Sequence, residues 1–297
     1  MSDAQPGLTE EFLFANGLRF HVATQGSGPV ALLLHGFPEN WRSWRHQLPA
    51  LAAAGFRAAA PDLRGYNLTD RPARVVDYRM HRLAGDVQGL IAALGGGPVH
   101  LIAHDWGGAI AWFYAARRPQ DLLSLTILNA PHPKIFRRHL FGNLRQLRRS
   151  WYMFYFQLPW LPERHILRDA KNQFDRMFRG WAFRKEMFSD DVIAGFREPM
   201  LAPGALTAAI NYYRASLRRL ATSNEAAGFP KIKVPTQVIW AEKDRALGPE
   251  LCDGLEQEID APFELRRIAD CSHWVQQEQP EQVNEYMLEF LRKHPAH

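Results

Sequence analysis

The sequence predicts an α/β protein, a mostly parallel central sheet flanked by helices with a helical segment inserted into it. Three observations point there. Short apolar runs alternate with helically spaced segments from about residue 30 to residue 128, as parallel strands joined by crossover helices do. From about 133 to 228 the pattern changes to Arg, Phe, Trp and Tyr at helical spacing, with no clear strand. From Lys231 the alternation resumes. The sheet domain is therefore expected to be discontinuous, 1–132 plus 230–297, with a helical cap at 133–229.

The elements follow in order. Phe12 to Ala23 reads as an early hairpin. Val30 to Leu34 is an apolar run ending at His35-Gly36, as a buried parallel strand ends. Trp44 to Ala54 has helical spacing and Gly55 stops it. Phe56 to Ala60 is the next strand, Met80 to Leu94 a helix closed by Gly95-Gly96-Gly97, and Val99 to Ala103 another strand. Gly107 to Arg117 reads as a helix and Leu122 to Leu128 as a strand ending at Asn129-Ala130-Pro131. Beyond the insertion, Thr236 to Trp240 and Phe263 to Ile268 read as strands. A helix is expected to begin over Pro249 to Leu255, and a closing helix over Glu281 to Arg292.

Bulk properties narrow the function. The 297 residues are 46% hydrophobic and 23% charged, ordinary for a soluble globular protein. Met1 to Glu10 is polar and lacks the apolar stretch of a signal peptide. No run approaches the ~20 apolar residues of a membrane span. A cytoplasmic protein, monomer or homodimer, is the expectation. Cys252 and Cys271 make no disulfide framework and no metal-ligand spacing, so both read as idle thiols. Net charge is +5. Arg137, Arg138, Arg145, Arg148 and Arg149 form a dense cluster, read as the solvated face of one helix. No nucleic-acid motif accompanies it, so no nucleic-acid partner is expected.

The strongest chemical signal is Ala103-His104-Asp105-Trp106-Gly107-Gly108, between a strand and a helix. Small residues on both sides allow a tight turn that lifts the central side chain above the sheet, the context of a nucleophile elbow. An aspartate that merely caps the helix is the structural alternative. A carboxylate suits attack at saturated carbon. It forms an ester whose carbonyl lies on the enzyme, and water can hydrolyse that ester; a serine would leave an inert ether. The leaving group would be an epoxide oxygen or a halide.

The second step needs a base. His273 lies in Asp270-Cys271-Ser272-His273-Trp274, after the last strand. The polar Gln276-Gln277-Glu278 that follows suggests a loop and an exposed imidazole, and most of the 12 histidines read as surface groups. Asp244, four residues past Trp240, could orient His273; Glu242 is its rival, and Asn129 cannot carry the charge. The loop His35-Gly36-Phe37-Pro38 can offer the Phe37 N–H to an oxyanion, with the Trp106 N–H as second donor.

These residues resemble the epoxide hydrolases of the α/β-hydrolase fold. The likeness rests on His35-Gly36-Phe37-Pro38-Glu39-Asn40-Trp41, Asp62-Leu63-Arg64-Gly65-Tyr66, His104-Asp105-Trp106-Gly107-Gly108, Asp244 and His273, and spans nearly the whole chain. In the cap, Tyr152-Met153-Phe154-Tyr155-Phe156-Gln157 and Asn211-Tyr212-Tyr213-Arg214 resemble that family's two tyrosine motifs. The resemblance implies that Tyr152 and Tyr213 hydrogen-bond the epoxide oxygen, with Tyr155 and Tyr212 as the neighbours confusable with them. A phenol is an acid of suitable strength for a leaving alkoxide. Phe37, Pro38, Trp106, Tyr155 and Phe156 are the expected substrate contacts, with a small apolar epoxide as substrate and no metal or organic cofactor. One departure is Asn67, where many relatives carry Gly; Asn tolerates positive φ, so the turn is expected to persist.

Two rivals remain. A haloalkane dehalogenase shares the Asp nucleophile, but a common pattern there has Asn at the position of Phe37; Trp151 or Trp181 could supply the missing halide donor. Fluoroacetate dehalogenases carry Arg directly after the nucleophile, where this chain has Trp106. A non-catalytic ligand-binding protein on the same scaffold would gain nothing from keeping Asp105, Asp244, His273, Tyr152 and Tyr213 together.

Overall fold

A computed structural model describes residues 6–222 and 228–296, with side chains at 218–222 left aside. The expectations for residues 1–5, 223–227 and 297 lie outside the described residues. Eight strands form one sheet: β1 (Thr9–Ala15), β2 (Leu18–Gln25), β3 (Val30–Leu34), β4 (Arg57–Pro61), β5 (Val99–His104), β6 (Leu122–Leu128), β7 (Thr236–Ala241) and β8 (Phe263–Ile268). Their order is β1-β2-β4-β3-β5-β6-β7-β8. β1 and β2 pair antiparallel, as do β2 and β4, and every later pair is parallel.

Central strands are apolar at consecutive positions because both faces are covered. Leu32, Leu34, Leu101, Ala103, Leu125 and Ile127 point into one core, while Ala31, Leu33, Ile102 and Leu128 point into the other. This is the two-residue alternation of a pleated strand. Helices α1 (Gln47–Ala53), α2 (Met80–Ala93) and α3 (Asp105–Ala115) fill the first crossovers. Between β6 and β7 come α4 (Pro133–Gly142), α5 (Leu144–Arg149), α6 (Trp151–Tyr155), α7 (Leu161–Arg168), α8 (Ala170–Phe178), α9 (Asp190–Met200) and α10 (Ala205–Thr222). Their inner side chains, among them Met153, Phe156, Phe178 and Tyr213, belong to the same hydrophobic cluster as Leu34 and Trp106. The helical segment is thus packed onto one side of the sheet. Short α11 (Val275–Glu278) and then α12 (Pro280–Arg292) close the chain.

Four expectations need correction. Residues 276–278 are no loop: they lie in α11, and Gln276, Gln277 and Glu278 are fully buried. Their polar atoms find partners far along the chain: Gln276 and Gln277 donate to Glu39, and Glu278 accepts the Phe183 and Arg184 N–H groups. The segment from Pro249 forms two 3₁₀ turns, Pro249–Cys252 and Leu255–Glu258, separated by Gly254 at φ 83°. The Arg cluster does not share one helix, because α4 ends at Gly142 and Asn143 caps a separate α5. Nor are most histidines on the surface: His21, His35, His100, His104, His132 and His273 are buried. Asn67 does keep its turn, at φ 44°.

Candidate active site

The site is assembled at the carboxyl ends of five strands, where ligands of parallel sheets bind. β5 delivers Asp105, β3 the loop of Phe37, β6 Asn129, β7 Asp244 and β8 His273. Asp105 sits at φ 49°, a left-handed conformation that costs a non-glycine residue about 1–3 kcal/mol. Packing enforces it. A side chain at Gly107 would run into the Leu34 carbonyl oxygen, and one at Gly36 would strike the Asp105 side chain. The small residues flagged in the sequence are therefore what lets the elbow approach β3.

Asp105 Oδ1 accepts the Phe37 N–H at 2.8 Å. Its Oδ2 lies 3.6 Å from His273 Nε2. On its other side, His273 Nδ1 is 2.7 Å from Asp244 Oδ2. Asp244 is buried and fully engaged: Oδ1 accepts the N–H groups of Ala246 and Leu247 at 2.7 and 3.0 Å, and Oδ2 the Asn129 amide at 2.9 Å. The rival Glu242 instead pairs with Arg267 at the surface. Trp106 is the second residue of α3, so its N–H has no acceptor in the helix.

His273 is buried, against the expectation of an exposed ring. Burial disfavours its charge, yet Asp244 and then Asp105 outweigh that and hold its pKa well above the usual imidazole value. Burial likewise raises the pKa of Asp105, but the His273 imidazole beside it and the Phe37 N–H bring it below the usual carboxylate range.

Sequence reasoning missed three supports. Asn129, dismissed as unable to carry charge, clamps the acid: besides its bond to Asp244, its Oδ1 accepts the Ala241 N–H at 2.8 Å. His104 Nδ1 lies 2.9 Å from Glu39 Oε2, and its Nε2 lies 2.9 Å from the His273 carbonyl oxygen. Glu39 also takes Gln276 and Gln277 on its other oxygen. A polar Glu in a motif flanked by Pro and Asn was the only available signal.

Two cavities of about 200 Å³ each meet at Asp105, Tyr152 and Tyr213. One runs along α3 and is apolar, bordered by Phe113, Phe136, Leu217 and Phe229. The other is bordered by Phe37, Pro38, Tyr155, Phe156, Trp181 and His273. Trp106 borders the first. Trp151 and Trp181 both border the second, although Trp151 is 61% exposed. The four tyrosines of the two motifs are placed differently. Tyr212 is buried away from both cavities, its hydroxyl donating to the Arg64 carbonyl at 2.8 Å. Tyr155 OH lies 2.9 Å from His165. Tyr152 and Tyr213 face each other with ring centroids 5.8 Å apart. Burial, followed by the nearby Asp105 charge, pushes both phenols up, so both stay protonated. The buried Arg214 guanidinium fastens their helices, accepted by Glu163 at 2.7 and 3.1 Å and by the carbonyls of Phe156 and Leu158. Among the described residues no group of three or more His, Cys, Asp or Glu is placed to hold a metal.

Comparison with known proteins agrees with this architecture. Residues 29–280 match the α/β hydrolase fold family. The chain is 37% identical to AB hydrolase superfamily protein YfhM of Bacillus subtilis, over 96% of this chain and 99% of that protein. It is 38% identical to epoxide hydrolase 3 of Xenopus tropicalis, over 94% of this chain and 76% of that one. A Bacillus megaterium epoxide hydrolase solved with an inhibitor superposes with a TM-score of 0.82 at 29% identity, covering 95% of this chain and all of the other. The chain therefore belongs to the α/β-hydrolase fold family and, within it, to the epoxide hydrolases.

Proposed function

We propose that the chain hydrolyses apolar epoxides to vicinal diols through a covalent ester on Asp105. Tyr152 and Tyr213 hydrogen-bond the epoxide oxygen. Asp105 attacks a ring carbon, the C–O bond breaks, and a phenol proton passes to the leaving oxygen. His273 then takes a proton from water, and the resulting hydroxide adds to the ester carbonyl. The N–H groups of Phe37 and Trp106 stabilise the oxyanion. Collapse releases the diol and restores Asp105 with one oxygen from water, while Asp244 steadies the imidazolium. The helices of 133–229 act as a cap on the core of 1–132 and 230–297, and the two cavities take the two substituents of the ring. No metal or organic cofactor takes part.

One observation carries this reading: a single carboxylate lies between an imidazole–carboxylate pair on one side and two protonated phenols on the other. The electrostatics also order the steps. In the resting site two carboxylates flank His273 and favour its protonated form. Esterification removes the Asp105 charge, so the imidazolium gives up its proton, which returns through solvent to the phenolate left by ring opening, and His273 becomes a competent base only once there is an ester to hydrolyse.

A single turnover in ¹⁸O water, with enzyme in excess over styrene oxide, tests it. The expected product is unlabelled diol, with one ¹⁸O in the peptide holding Asp105. Label in the first-turnover diol would mean that water attacks the epoxide directly and that Asp105 is no nucleophile.

A further inference from the structure

The catalytic scheme leaves one feature of the helical insertion unused. Between residues 134 and 176 there are ten Lys or Arg against three Asp or Glu, an excess of seven in a chain whose total excess is five. The rest of the molecule is slightly acidic. One of the three acids, Glu163, is buried against Arg214 and offers no outward charge. Among the described residues, Arg145, Arg148, Arg164, Arg168, Lys171 and Arg176 make no ion pair, and all six are exposed.

The same stretch carries most of the large apolar side chains that are exposed among the described residues. Of thirteen large exposed hydrophobics among the described residues, eight fall between 141 and 167. Leu144 is 74% exposed, Trp160 65% and Trp151 61%, and Phe154, Leu158 and Leu161 stand out beside them. Exposed apolar groups interleaved with unpaired cations, with Trp among them, are the composition of a surface that lies in a lipid headgroup layer. Arginine stems can lie along acyl chains while their heads reach phosphate.

Place connects this surface to the site. Trp151, His165 and Arg176 are exposed and also border the second cavity. Tyr155 joins them from α6, its ring 5.9 Å from Trp151 and 6.1 Å from His165. The rim of one cavity arm is therefore part of the basic, apolar surface.

We infer that this face of the insertion docks peripherally on an anionic lipid bilayer, with the rim of the second cavity turned toward the membrane. An apolar substrate partitions into bilayers, so docking shortens its path to Asp105. A second copy of the chain fits less well, since a two-fold contact would set like charges against each other. A nucleic acid would leave Leu144, Leu158 and Leu161 without a complementary partner. Docking does not depend on the chemistry at Asp105, so its failure would leave the epoxide reading standing.

The test uses the full chain and two vesicle preparations, phosphatidylcholine alone and phosphatidylcholine with about 30 mol% phosphatidylserine. The expected result is co-sedimentation with the anionic vesicles only, reversed by roughly 0.5 M salt. Two double variants map the surface, Leu144→Ser with Trp160→Ser and Arg145→Ala with Arg148→Ala. Each lost cation should weaken partitioning about five-fold, so the arginine pair should weaken it about twenty-five-fold. Turnover of dissolved styrene oxide should be unchanged in both. The inference is overturned if the protein ignores both vesicles at low salt, binds both equally, or binds undiminished in both variants. It is also overturned if light scattering shows a dimer that dissociates on Leu144→Ser with Trp160→Ser.

Discussion

The sheet region and the helical insertion both hold the proposed reactive groups still, by different means. In the sheet region each group stands on a turn just past a strand end, and its polar atoms are closed into networks. Asp244 alone accepts three hydrogen bonds besides its contact with His273. In the insertion, Tyr152 and Tyr213 come from separate helices held by one buried ion pair, Arg214–Glu163, and by edge-to-face aromatic contacts. Backbone geometry fixes the first set and side-chain packing the second. The core should therefore govern whether chemistry occurs, and the insertion should govern which epoxide is opened and how fast.

The largest effects should lie in the core. Asp105→Ala should lower kcat on the order of 10⁵-fold or more, with fold and substrate binding kept. His273→Gln should also collapse turnover, on the order of 10⁴-fold, but leave the first step intact. One equivalent of epoxide should be consumed and one alkylated Asp105 peptide should appear by mass spectrometry. Absence of that trapped ester would separate His273 from the second step.

Phenol removal asks whether the insertion is more than a cover. Tyr152→Phe and Tyr213→Phe should each slow alkylation on the order of 10²-fold, read from the burst rate, with ester hydrolysis little changed. Effects confined to KM would reduce the insertion to a lid and break the comparison.

Stability sharpens it next. Arg214→Met leaves Glu163 buried without its partner and should cost about 3–5 kcal/mol in urea unfolding. Asn129→Ala removes one hydrogen bond to Asp244, whose other donors remain, and should cost about 1–2 kcal/mol. The reverse ranking would mean that the insertion's ion pair is not what fastens it.

The same contrast explains what the sequence made legible. β3, β6 and β8 match their expected spans residue for residue; β3 and β6 are legible because a strand covered on both faces is mostly apolar, whereas β8, with Glu264, Arg266 and Arg267 in a half-buried strand, is marked by its apolar ends Phe263 and Ile268. The elbow was legible because a carboxylate between small residues, after such a strand, has few structural uses. Asn129 and α11 were not. Their partners, Asp244 for one and Glu39 for the other, lie 115 and more than 230 residues away. A polar triplet therefore read as loop although long-range partners bury it. In the insertion only the resemblance placed Tyr152 and Tyr213, since aromatic residues at helical spacing serve a core equally well.

The smallest effect at neutral pH should appear at the seam between the two regions. His132 lies where the chain leaves β6 for α4, and Phe229 where it returns. The His132 ring packs edge-on against Trp112 of α3 at 5.2 Å and against Phe229 at 5.0 Å. Neither ring nitrogen has a hydrogen-bond partner and the residue is fully buried. Burial lowers its pKa to about 4; Glu258 opposes that shift and Lys134 adds to it. An unfolded chain would titrate it near 6.5. Between those values the unfolded state binds the proton more readily, so His132 favours folding above about pH 6.5 and loses that contribution as pH falls toward 4, by at most about 3 kcal/mol. His100 in β5, also lowered to about 4, adds a similar slope from within the core. His132→Phe should thus leave Tm at pH 7.5 nearly unchanged and flatten part of its fall between pH 6.5 and 4. The His100 slope should remain. If the variant melts with the same acid profile as the parent, the seam is held by contacts other than this ring.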